Sequence, residues 1–140
     1  MVKSSITNAL AQYKNVSVSS GVEDATPHRL IQMLMEGALD KVATAKGYML
    51  HDDPAEKGRH ISWAISIISG LQSSLNMEAG GEISANLDDL YDYMVRRLGQ
   101  ASAANDPSIL DEISALLIEV KSAWDVIPRQ LQAESKRAAS

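Results

Sequence analysis

Three times in this chain a side-chain oxygen is followed directly by proline and then by apolar residues at steps of three and four. Thr26-Pro27, Asp53-Pro54 and Asp106-Pro107 each read as a helix start. The oxygen accepts one of the backbone N–H groups that a first turn leaves unpaired. Proline suits the first helical position because its missing donor would have had no partner there. Asp53 also stands three residues before Glu56, a variant of the capping-box spacing. A fourth, softer start is expected after Gly80-Gly81, with Glu82 set to meet the positive end of the helix dipole.

Each start leads into a helical stripe. The first carries Ile31, Met35, Ala38, Val42, Ala45 and Met49, and the second Ile61, Ala64, Ile68, Leu71 and Leu75. The third carries Ile83, Leu87, Leu90, Met94, Leu98 and Ala101, and the fourth Ile109, Ile113, Leu116, Val120, Ala123 and Ile127. Four such segments, each of about 20 residues and about 30 Å, with short connections and no strand-like alternation, predict an all-α fold. The expected architecture is an antiparallel four-helix bundle with a short N-terminal helical segment. It divides into a leader at 1–14, a flexible tether at 15–25, the bundle at 26–127 and a polar tail at 128–140. Ile6, Leu10 and Tyr13 fall at helical spacing in the leader, which is too short to hold a helix alone.

Composition narrows the function. The 140 residues suit one domain, and with four Tyr, two Trp and no Phe its core must come from Leu, Ile, Val, Met and Ala. A formal charge of −5 speaks against nucleic acid as a partner. The absence of cysteine removes disulfides and thiolate metal sites. No secretory signal follows Lys3, and no apolar run reaches the roughly 18 residues of a membrane span, so the expected place is the cytosol.

Catalytic patterns are missing. Asp88, Asp89 and Asp92 face away from the third stripe and read as a solvated face, with Asp92 spaced to pair with Arg96. His28, His51 and His60 share no ligand spacing, and the paired Glu-x-x-His motifs of a di-iron bundle do not occur. No enzyme, cofactor or metal is expected. A remote rival is the histidine phosphotransfer domain, also a small acidic four-helix protein. Its only well-placed histidine here, His60, is followed by Ile61-Ser62-Trp63 and lacks the lysine and glycine that normally follow.

The helix surfaces are more informative. Leu30, Met33, Trp63, Ile67, Tyr91, Val95 and Ile118 lie beside or opposite their stripes. One explanation is that large residues at stripe edges merely cover bundle seams. Seven such positions, several of them four apart, point instead to a groove for a partner's amphipathic helix. Gly37, Gly70 and Gly99 lie inside predicted helices, each at about 1 kcal/mol relative to Ala, which suggests close backbone approach.

Four stretches also carry a family resemblance. They are Gln12-Tyr13, the run Thr26-Pro27-His28-Arg29-Leu30-Ile31-Gln32-Met33-Leu34-Met35-Glu36-Gly37-Ala38, the block at 80–98, and Ala104-Asn105-Asp106-Pro107 leading to Ala123-Trp124. Together they resemble the FliS family of flagellin export chaperones, in the family's order and over nearly the whole chain. Met35-Glu36 departs from the Tyr-Asp common in that family and bears on packing at that end. The resemblance implies a cytoplasmic chaperone that binds the disordered C-terminal region of flagellin, prevents premature polymerisation and assists delivery to the flagellar type III export apparatus. An export-gate component is a further expected partner. Leader residues Ile6, Leu10 and Tyr13 would cover a groove until the client displaces them. A monomer or a weak or swapped dimer is expected. The alternative is a self-associating structural protein that uses the same grooves for its own copies.

Overall fold

The computed structural model describes residues 25–127. The leader residues Ile6, Leu10 and Tyr13, the tether up to residue 24 and the tail at 128–140 lie outside them. The described residues form four helices: α1 Pro27–Leu50, α2 Pro54–Ser73, α3 Met77–Ala104 and α4 Pro107–Val126. Short connections make successive helices antiparallel. α1 packs on α2 and α4, and α3 packs on the same two, which closes an all-α four-helix bundle. The α1–α2 contact is the most extensive and the α3–α4 contact the least.

The predicted caps form. Thr26 Oγ1 accepts from Arg29 N at 3.1 Å, Asp53 Oδ1 from Glu56 N at 3.2 Å, and Asp106 Oδ1 from Ser108 N at 2.9 Å. Only half of the capping box at Asp53 is made, because the Glu56 carboxylate turns outward to Arg59 at 2.9 Å. The far end of the bundle is closed by a cation. Lys57, buried on α2, donates to Ser102 O and Asn105 Oδ1, both at 3.1 Å, and so satisfies the C-terminus of α3. Asn105 itself takes the left-handed conformation, φ 53°, that ends the helix.

The start of α3 differs from expectation. The helix opens earlier, at Met77, where Asn76 Oδ1 accepts from Ala79 N at 3.0 Å. It then breaks at Gly81, with φ 52° and ψ −125°, before the long helix resumes. The sequence reading found the second start and missed the turn before it.

The apolar stripes are buried unequally. Every stripe residue of α1 is buried, as are Ile61, Ala64, Ile68 and Leu71 of α2, with Leu75 part-buried beyond its end. In α3 burial is complete only from Met94 onward among the stripe residues, and in α4 only at Ile109 and Ile113. Gly37 and Gly70 are buried, but Gly99 is exposed with nothing near an added Cβ, so close approach does not explain it.

Candidate partner-binding site

Two cross-helix anchors set the height of α3 against α4. Tyr93 Oη donates to Glu112 at 2.6 Å, and Arg97 Nε to the same carboxylate at 2.9 Å. The Tyr93 hydroxyl first, and Arg97 second, hold the Glu112 carboxyl below the usual carboxylate range. Counting turns from this anchor brings Ile83 level with Ala123 and Trp124, and Leu87 level with Val120. Along this length both stripes are incompletely buried. Ile83 lies on the same helical line as Leu87, Leu90 and Met94, yet it is 72% exposed. Leu87, Leu90, Leu116 and Val120 are part-buried against the core, Ala123 is exposed, and Val126 is 72% exposed at the rim. These incompletely buried apolar side chains lie on the first half of α3 and the second half of α4, and we take them as a candidate cleft.

The neighbouring α1–α4 seam is shut at the same end. His28 Nε2 lies 2.8 Å from Trp124 O, and Trp124 Nε1 donates to His28 O at 3.1 Å. The two rings stack with centroids 4.9 Å apart and planes within 5°. Gln32 Nε2 donates to Asp125 at 2.7 Å beside them. Lys121, and after it Gln32, hold the Asp125 carboxyl below its ordinary range. The clasp fixes Trp124 against the start of α1.

The residues singled out from the sequence are placed as follows. Met33, Ile67 and Tyr91 are buried among the core side chains, and burial pushes the Tyr91 phenol up to about 12. Each bundle helix has two packed neighbours, so its buried arc is wider than one stripe. Leu30, Trp63 and Val95 are part-buried and packed against that core. Trp63 carries Lys41 Nζ 3.9 Å from its ring centroid, and its Nε1 is buried without a hydrogen-bond partner. Ile118 is 54% exposed, on the side of α4 that carries Asp111 and Lys121 towards α1. Lys57–Ser102 and Gln72–Asp88 contacts set α2 against α3 so that Ile67 stands level with Tyr93 and Val95. The structure thus brings Ile67 and Val95 to one height and leaves Leu30 and Ile118 apart from them.

The acidic face is solvated at Asp89 and Asp92 and part-buried at Asp88, and Asp92 takes Gln72 as its partner. Gln72 Nε2 donates to Asp88 at 2.8 Å and to Asp92 at 2.9 Å, while Arg96 lies over the Tyr93 ring, 5.9 Å from its centroid. His60 is buried, with Nδ1 2.9 Å from Glu56 O and its ring against Tyr48 and Trp63. That burial does not suit an exposed phosphoryl acceptor. Among the described residues no group of three His, Asp or Glu is placed to hold a metal ion. No helix among them is long and apolar enough to cross a membrane.

Ile83, Leu87, Val120 and Ala123 belong to the predicted core stripes, yet Ile83 and Ala123 are exposed and Leu87 and Val120 only part-buried. A family-wide sequence profile described as flagellar protein FliS matches residues 8–131. The chain belongs to the FliS family of flagellar secretion chaperones. It is 54% identical over 119 residues to the flagellar secretion chaperone FliSB of Pseudomonas aeruginosa, covering 85% of this chain and 94% of that protein. The flagellar secretion chaperone FliS of Vibrio cholerae is 45% identical over 120 residues, 86% of this chain and 88% of its own. That of Salmonella typhimurium is 40% identical over 131 residues, 93% and 97% respectively.

Proposed function

We propose that this protein binds the C-terminal region of flagellin in the cytoplasm, keeps it from polymerising early and assists its delivery to the flagellar export apparatus. The observation that carries the reading is Ile83, a stripe residue left 72% exposed one turn before the part-buried Leu87. A cleft lined by such residues suits the apolar face of an amphipathic helix. A client that folds on binding loses ordering entropy and compensates by covering a large surface. A second contact over Trp63 and Val95, with Ile67 and Tyr91 beneath, would extend the covered area, and Leu30 and Ile118 would serve separate contacts. A client held this way cannot present its own apolar stripes to other copies.

The test is calorimetry against a peptide from the C-terminal region of flagellin. A saturable one-to-one heat with a large negative heat-capacity change, weakened by Ile83→Asp, is expected. No heat at tens of micromolar would sink the assignment. In the same assay, deletion of residues 1–15 should tighten binding if Ile6, Leu10 and Tyr13 compete with the client. Weaker binding would make those residues part of the site.

A further inference from the structure

At the mouth of the cleft α3 is broken, and the break has chemical detail. Gly81 holds φ 52° and ψ −125°, the mirror image of the polyproline region, which L-residues rarely adopt. An added Cβ at Gly81 would meet nothing within 4 Å, so this position uses glycine for its backbone freedom and not for space. The turn before it is latched back. Ser84 Oγ, on a buried side chain, donates to Asn76 O at 3.0 Å, and Gly80 N donates to the same oxygen at 2.9 Å. Gly80 lies so close to Ser84 that a Cβ there would collide with its side chain.

Glycine also accepts helical angles. Rotation at this one residue would make α3 continuous from Met77. Counted back along such a helix, Met77, Gly80, Ile83 and Leu87 follow at steps of three, three and four, so the stripe gains a turn. Met77, half-exposed in the broken form, would then join the wall of the cleft. That lengthens the wall by about 9 Å, six residues at a rise of about 1.5 Å each.

Resting on the chaperone reading above, we propose that Gly81 is a two-setting hinge. The latched, broken setting is that of the free protein, and the straight setting is that of the loaded one. A client helix that touches the added turn binds the straight setting better and shifts the population towards it.

Two variants bias the hinge in opposite senses. Gly81→Ala disfavours the positive φ and favours helix. D-alanine at position 81, installed by chemical ligation, favours the broken setting. Backbone chemical shifts of residues 78–82 report the setting without any client. They should read as continuous helix in Gly81→Ala and as an interrupted one with D-alanine. Affinity for the flagellin C-terminal peptide should rise about tenfold in the first and fall about tenfold in the second. Unchanged shifts in Gly81→Ala, or affinities moving in the same direction, would overturn the hinge. If the unaltered protein does not bind the peptide, the chaperone reading fails, and the shifts of the two variants still decide whether the hinge exists.

Discussion

The α1–α2 pair and the α3–α4 pair are built from similar stripes but end differently. In α1 every stripe residue from Ile31 to Met49 is buried, and Ile61, Ala64, Ile68 and Leu71 answer it from α2. In the second pair, the stripe of α3 begins at an exposed Ile83, and that of α4 passes through an exposed Ala123. The difference teaches that apolar periodicity specifies a face and leaves open whether a neighbour covers it. Stripe residues become core where two helices run at full contact, and they stay exposed where one helix breaks. In this molecule the break at Gly81 and the cleft occur together.

The comparison should show first in stability. Ile68→Ala, inside the closed pair, should cost about 2–5 kcal/mol in urea unfolding, from lost burial and the cavity left behind. Ile83→Ala, in the open pair, should fall within about 0.5 kcal/mol, as expected of an exposed site. Equal losses at the two positions would mean that the cleft is part of the core. Lys57→Met should cost about 1–3 kcal/mol, because it leaves Ser102 O and the Asn105 amide without their buried donor. Thermal melts with and without Asn105→Gly would attribute the loss to the end of α3.

Trp124→Phe keeps the stack on His28 but removes the bond to His28 O, and about 1 kcal/mol should be lost. Client binding should then weaken through the loosened edge of the cleft. The smallest effect is at the anchored half of the α3–α4 pair. Tyr93 and Arg97 lower the Glu112 pKa in the folded state, so their support is present above the ordinary value of 4.5 and is lost as pH falls through the lowered one. Tyr93→Phe should therefore destabilise slightly near neutrality, with the difference shrinking below about pH 4.5 in pH-resolved denaturation.

The fold was legible because the Thr-Pro and Asp-Pro starts and the four stripes are local signals that need no tertiary information. The Asn76 cap was not, since Gly80-Gly81 masks it with the stronger local cue. Met33, Ile67 and Tyr91 stood out as surplus because a single wheel stripe understates the arc that two neighbours bury. The Lys57 bridge to Ser102 and the His28–Trp124 clasp join residues 45 and 96 positions apart, which no spacing rule connects. The cleft was half legible. Its residues lie in the sequence stripe, but their exposure follows from the relative heights of α3 and α4.

The most direct test of this account is a backbone and methyl NMR titration of the full chain with the flagellin C-terminal peptide. The account predicts the largest shift changes at Ile83, Leu87, Val120 and Ala123, with Ala64 and Ile68 unmoved. Changes confined to α1 and α2, with the α3–α4 cleft silent at saturation, would contradict it.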